Sequence, residues 1–396
     1  MQITDVRCHV LLDPGYDADE TSSASDDFLV EVFTDEGLVG IGETDLNPWV
    51  ARACLEAPGT HTMDRGLKSL LLGSDPLDPS AVWRRLYEGS AMTGRRGAVV
   101  NVIGALDIAL WDICGKAAGV PAWQLLGTRA HDHLRPYASL LPSVRAYEEF
   151  VSALVEAVLE ARDLGFGAAK LEIIYDGPYA HLGMRESDAR MTETIGAVRQ
   201  AVGPDFVLMV DVGYAFDSVE RARRVLQSWD EFDLFFVETP LWSDDLDGYA
   251  TLAQSVPMKI AAGEWLTTRF EFIELLDRGL VGVVQPDVGR VGGLTEARRV
   301  CRLASARGRQ VVPHAWKTGM TIAATAQLAA ITPELPFFEF LPAQLHTSAL
   351  RRDLVVEELH LDDGKLALPS RPGIGVELNR DALARFEQAA AEASGV

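Results

Sequence analysis

Three apolar runs each end on a carboxylate: FVLMVD on Asp211, LFFVE on Glu238 and KIAAGE on Glu264. Pointed into one space, three such groups repel and raise one another's pKa unless a cation joins them. Oxygen-only ligation without Cys or His favours a hard ion, and one Mg2+ is the natural candidate. Any one of the three reads equally well as a helix cap or half of a salt bridge; all three at matching spacing point to a metal site. The next two runs end on Asp287 in VVQPD and on His314 in VVPH. An isolated histidine at a strand tip is more often a core residue. A carboxylate beside it fixes the tautomer, orients the ring and raises its basicity, which makes His314 a candidate general base and acid rather than a ligand. AAKLEI adds Lys170 and Glu172, two apart and so on one face of a strand. An inward lysine needs a negative partner, either the metal carboxylates or a substrate carboxylate. Glu339, in PFFEF, reads either as a substrate contact or as a buried partner of that lysine.

This chemistry requires elements that bring all of these strand ends to one place. From about residue 134, short apolar runs alternate with stretches of helical period such as SVERARRVLQSW and GLTEARRVCRLASARG. Fully apolar strands between helices imply a parallel sheet covered on its outer face. Eight such runs predict a β/α barrel, whose strand carboxy ends converge on one mouth. No GxGxxG follows a strand, which counts against a dinucleotide-binding fold. The predicted class is α/β: a TIM-type barrel over 126–345, an α+β capping domain over 1–125, and a segment over 346–396 that packs back on the cap. Within the cap, DFLVEVFTDEGLVGIGET predicts a hairpin turning at Asp35–Gly37, and VNVIGALDIALWDICGKAAG a helix stopped by Gly119 and Pro121. DPGYDADETSSASDD, between the first two strands, is too polar for a core.

Acidic residues outnumber basic ones 58 to 36, for a formal net charge of -22. That argues against nucleic acid, which needs a basic surface. It also means that an anionic substrate is repelled at long range, so its site needs local compensation by a cation or lysines. The four cysteines form no CxxC pattern, as expected of a reduced cytoplasmic protein. No apolar run is read as approaching the ~20 residues of a membrane helix, and the N-terminus lacks a signal-peptide pattern. The expected partner is a small molecule, not a membrane or a nucleic acid.

With these motifs in place (DVGYAF, VETP, AAGEW, QPDVGRVGG and PHAWKTG), the chain resembles the mandelate racemase and muconate-lactonizing branch of the enolase superfamily over nearly its whole length. The resemblance implies a modified barrel, Mg2+ on Asp211, Glu238 and Glu264, a His314–Asp287 dyad, and assembly as a homo-oligomer. Family enzymes abstract the proton α to a carboxylate and stabilise the enediolate on Mg2+. Two departures stand out. Many members carry K-x-K on the second strand where this chain has Lys170 and Glu172, so a lysine base is gone from that face; Glu172 is left as a base, a sugar-hydroxyl contact or a structural residue. The first ligand motif is D-V-G where many relatives have D-x-N, with Tyr214 available to line the gap. Loss of the second lysine weighs against racemisation and favours an acid-sugar dehydratase acting on an aldonate or aldarate; the alternatives are a lactone or anhydro-ring cycloisomerase, an epimerase or racemase of the same superfamily, and, against the full set of site residues, a non-catalytic homologue. Candidate substrate contacts are Tyr16, Arg95 beside Arg96, Tyr214, Trp316, Lys317 and His181. Two cations among them at the pocket would favour a dicarboxylate.

Overall fold

Two glycines set how the N-terminal layer packs. Strands Ile3–Leu12, Asp26–Thr34 and Val39–Thr44 form an antiparallel sheet, the last two joined by a turn in which Gly37 has φ +81°. Helix Ala98–Ala118 lies across this sheet so closely that a Cβ on Gly40 or Gly42 would meet the carbonyl oxygens of Ala109 or Ala105 at 2.1 and 2.0 Å. The helix's other side meets the barrel, where the Trp111 indole donates to Thr295 at 2.9 Å and the Thr295 amide to Asp107 at 2.8 Å. The helix runs 21 residues and is long and apolar enough to cross a membrane. That corrects the expectation that no apolar run reaches such a length. Here its apolarity is explained by partners on both sides rather than by lipid.

The computed structural model describes residues 1–394. Among the described residues, the large sheet has eight parallel strands. Seven lie side by side in chain order: Pro136–Leu140, Ala168–Glu172, Val207–Asp211, Leu234–Glu238, Lys259–Ala262, Val283–Val284 and Gln310–Val311. The eighth, Phe338–Phe340, pairs with the first. The seventh and eighth share no strand ladder, yet the sheet curls until they meet: the Ala315 amide donates to the Glu339 carboxylate at 2.7 Å and the Val311 amide to the Glu334 carbonyl at 3.1 Å. Tyr137, Ala168, Met209, Phe236, Ala261, Val283, Val312 and Phe337 pack into one interior cluster, one residue from each strand or its flank. A single contiguous core contributed by all eight strands is what a closed, side-chain-filled barrel requires.

Beyond the barrel the chain forms a hairpin, Leu361–Asp362 with Lys365–Ala367, turned by Asp363 and Gly364 at φ +45° and +72°. Helix Arg380–Ser394 then returns to the first cap strand. Ala390 packs on Val10 and Leu12, Glu387 lies 2.7 Å from His9, and Arg380 pairs with Glu31 at 2.6 Å.

Candidate active site

The strand ends meet as their spacing requires. Glu172 is in register with Asp211, and Asp211 with Glu238, so three carboxylates stand on three adjacent strands. The backbone just past them is forced out of ordinary conformations: Gly213, Tyr214, Thr239 and Gly263 have φ of +50°, +61°, +45° and +121°. Positive φ is costly for Tyr and Thr and marks a position over-determined by its surroundings. Each carboxylate is held by the protein. Asp211 accepts from the Gly213 amide at 2.8 Å and the Thr239 hydroxyl at 2.6 Å. Glu238 accepts from Lys170 at 3.0 Å, and Glu264 from the Tyr214 hydroxyl at 2.9 Å.

Lys170 is only 1% exposed, and its ammonium lies 2.8 Å from Glu339, 3.0 Å from Glu238 and 3.4 Å from Glu172. Burial alone would depress its pKa; the three carboxylates outweigh burial and hold it well above the usual lysine range. Glu339 is pushed up by burial but pulled down further by Lys170 and His314, to about 2. Burial raises Glu172 well above the carboxylate range and Glu238 to about 8, Lys170 opposing and neighbouring carboxylates adding to both. Ser139 donates to both Glu172 and Glu339, at 3.0 and 2.9 Å. Of the two sequence readings of Glu339, its contacts match the buried partner of Lys170.

His314 has one nitrogen tied and one turned inward. Its Nδ1 lies 2.7 Å from Asp287, whose other oxygen accepts the amides of Gly289 and Arg290 at 2.7 and 3.1 Å. Its Nε2 lies 3.3 Å from Glu264. Burial and the charge of Arg290 lower the imidazole pKa, but the bond to Asp287 and the carboxylates of Glu339 and Glu264 overcome them and raise it to about 9.

These side chains border a cavity of about 150 Å3 whose walls include Lys170, Glu172, Asp211, Tyr214, Glu264, Arg290, His314 and Trp316. Other expected substrate contacts lie elsewhere. Tyr16 is 48% exposed and borders a neighbouring hollow that shares Ser22 and Ser23 with the cavity; its amide closes a turn on the Asp13 carbonyl at 3.1 Å. Arg95 is exposed on the surface at the end of the short helix Ala91–Gly94 and borders no part of the cavity. Lys317 is buried but spent on Asp26 and the Ser23 carbonyl, at 3.0 and 2.5 Å, and so ties barrel to cap. His181 accepts from the Thr21 amide and bonds the Pro142 carbonyl, both at 3.1 Å, and is a structural clip. The polar loop thus reaches the mouth through Thr21, Ser22 and Ser23; the Trp316 indole donates to Ser22 at 3.0 Å.

Sequence reasoning missed Arg290. Its guanidinium makes a bidentate pair with Asp45 of the cap and reaches Glu264 at 3.4 Å. The signal was in QPDVGR, where an arginine three residues past the dyad aspartate can turn back over the same strand end. Tyr179 and Trp265, also bordering the cavity, were missed as well.

The metal expectation needs correction in one respect. Among the described residues, no three His, Cys, Asp or Glu side chains converge as a coordination group. Asp211, Glu238 and Glu264 surround one mouth, but each is turned to a protein donor. The chemistry of the set nonetheless fits a hard cation. Glu238 Oε1 is buried without a hydrogen-bond partner, an arrangement costly unless something binds it. Among the described residues Asp211 has no cationic partner, and Arg290, which reaches Glu264 at 3.4 Å, is already paired with Asp45. Asp211, Glu238 and Glu264 could hold such an ion through oxygen alone.

Residues 4–127 match the mandelate racemase / muconate lactonizing enzyme N-terminal domain, and residues 153–382 the enolase C-terminal domain-like family. The chain is 34% identical to D-galactarolactone cycloisomerase of Agrobacterium fabrum, across 98% of this chain and 99% of that one. It is 32% identical to L-rhamnonate dehydratase of Saccharopolyspora erythraea, across 89% and 83%. The crystal structure of 3,6-anhydro-D-galactonate cycloisomerase from Zobellia galactanivorans superposes with a TM-score of 0.84 at 28% identity, covering 98% and 99%. The chain belongs to the mandelate racemase and muconate-lactonizing branch of the enolase superfamily.

Proposed function

We propose that this member of the branch is an acid-sugar dehydratase: it removes the proton α to the carboxylate of an aldonate or aldarate and expels the β-hydroxyl as water. The product is a 2-keto-3-deoxy acid. The observation that carries the reading is the one-sidedness of the mouth. His314 presents Nε2 to the cavity, whereas Lys170 opposite is held charged by three carboxylates and cannot accept a proton near neutral pH. Racemisation needs a competent group on each face of the α-carbon; elimination needs one.

The α-proton of a carboxylate is so weakly acidic that the developing dianion must be stabilised electrostatically. Mg2+ on Asp211, Glu238 and Glu264 would supply positive charge for that purpose. Lys170 supplies more from the second strand. His314 takes the C2 proton on Nε2 while Asp287 holds Nδ1–H. The C2–H electron pair moves toward C1, the C3–O bond breaks with its pair, and the imidazolium returns its proton to the departing oxygen as water leaves. The enol left behind becomes the 2-keto acid. An imidazole raised to about 9 suits the acid step. Neutralising Glu264 removes one carboxylate that raises it, and brings the group toward the range of a base.

A second reading, a cycloisomerase in which a ring oxygen leaves instead of water, draws support from the end-to-end similarity to the galactarolactone enzyme. Homo-oligomeric assembly belongs to the proposal through family resemblance alone. To test the reading, the Mg2+-loaded protein is incubated in D2O with aldonates, aldarates and their lactones. Keto-acid formation lost with EDTA and in His314→Asn supports it. If no acid gives a keto product the reading fails, and C2 deuterium or loss of a lactone without keto acid points to the cycloisomerase or an epimerase instead.

A further inference from the structure

We propose that Tyr179, Tyr214, Trp242 and Trp265 form a stacking wall that selects an acid sugar held as a ring over its open-chain form. The proposal rests on the mouth being an acid-sugar site and goes beyond the elimination reading, whose aldonates and aldarates are open-chain, toward the ring substrates of the cycloisomerase reading.

The four residues come from four separate loops. Tyr214 lies three residues past Asp211, Trp242 four past Glu238 and Trp265 one past Glu264, while Tyr179 stands on the loop that follows the second barrel strand. Every one of the six pairs is in ring contact, with centroids between 4.3 Å for Tyr214–Trp265 and 6.2 Å for Tyr179–Trp242. Tyr214 accepts a left-handed backbone to join the group and anchors it by donating to Glu264. Tyr179, Tyr214 and Trp265 border the same cavity as Lys170 and His314, with Trp316 on its rim beside Ser22.

A core cluster would bury its largest members. Here Trp265 is 38% and Trp242 46% exposed, so apolar surface stands open beside a floor of charged groups. Small-molecule sites combine such apolar walls with a few convergent polar groups. An aromatic face carries negative charge density and attracts polarised C–H groups. A sugar ring presents several such C–H groups from one side, each polarised by its oxygen. An open-chain acid has no such face and must freeze several rotors before it can imitate one. A ring lying on Trp265 would direct its carboxylate to Lys170 and leave its hydroxyls to Glu172, Ser22 and Ser23.

The test is calorimetric titration of the Mg2+-loaded His314→Asn protein, which retains the wall. The probes are D-hexuronates in pyranose form, each paired with the open-chain acid made by reducing its C1, which keeps the carboxylate and the stereocentres from C2 to C5: D-galacturonate with L-galactonate, D-glucuronate with L-gulonate. At least one ring form should bind about ten-fold tighter than its partner, the order expected for stacking plus spared rotor entropy. Adding Trp265→Ala should remove that advantage while leaving the hexonate within about two-fold, and Trp265→Phe should retain most of it. Equal affinity for ring and chain in every pair overturns the proposal, as does a Trp265→Ala protein that is folded by circular dichroism yet weakens both partners alike. Wild-type turnover is read separately. Ring selectivity without any keto acid would sink the elimination reading and leave the wall. Keto acid formed from an open-chain acid by a protein that binds ring and chain equally would sink the wall alone.

Discussion

The two sides of the barrel mouth solve one problem, a buried positive charge, in opposite ways. On the second strand Lys170 is surrounded by Glu172, Glu238 and Glu339 and has no direction left in which to give or take a proton. His314, also bordering the cavity, has one strong partner in Asp287 at 2.7 Å and a second nitrogen with only a longer contact, 3.3 Å from Glu264. Burial opposes the charged form of both groups, and carboxylates restore it in both. What separates them is the number of bonds made and the intrinsic pKa of each group. A lysine raised from an already high value becomes a fixed charge, whereas an imidazole raised to about 9 stays within reach of its neutral form.

The contrast can be broken most severely at the dyad. Asp287→Asn removes the group that fixes the tautomer of His314, and keto-acid turnover should fall by about 10² to 10⁴ while Mg2+ binding persists. Equal loss of metal binding would mean that Asp287 supports the whole mouth rather than the base. Lys170→Met attacks the other side and leaves Glu238 and Glu339 without their cation. Urea unfolding of the metal-free protein should show a loss of about 3–5 kcal/mol, the cost of stranding buried charge. A loss below about 1 kcal/mol would show that protons on the carboxylates already compensate one another.

The pH dependence sharpens the comparison further. His314 has its folded pKa raised to about 9 from an ordinary 6.5. A raised pKa stabilises the fold fully below the unfolded value, and that contribution fades as pH climbs from about 6.5 to about 9. The metal-free wild type should lose urea resistance across that window, and His314→Asn should flatten the same stretch. Metal addition comes next in size. Mg2+ at about a hundred times its Kd should stabilise the wild type by about 2.7 kcal/mol, and Glu238→Gln should abolish most of that gain. Smallest of all is Tyr16→Phe, expected within about 0.5 kcal/mol in stability and without effect on turnover, since the side chain is about half exposed and borders no part of the cavity.

Legibility in the sequence followed the strands closely and the loops poorly. Asp211, Glu238, Asp287 and His314 all came to the mouth because an apolar run of fixed period leaves little choice about where its last polar residue points. Arg95 and Tyr16 did not. A loop side chain has no such period, and each was placed by contacts of its own segment on the cap surface. Lys317 shows the same limit from inside: three residues past His314, it turns away to Asp26, a cap residue 291 positions earlier. Helix Ala98–Ala118 was legible as a helix. Its membrane-like apolarity was explained only by the sheet and barrel pressed against its two sides.

By itself the sequence determined the alternation of buried strands and helices, and with it the convergence of acidic strand ends, because those depend on local period and on burial of apolar runs. Only the tertiary structure decided which charges compensate one another. It set Arg290 between Asp45 and Glu264, closed Lys170 in among carboxylates from three strands, and gathered four aromatic rings from four loops into one wall. Such pairings act through space over a few ångströms between residues as far apart as Arg290 and Asp45, 245 positions along the chain, a distance at which no spacing rule along the chain applies.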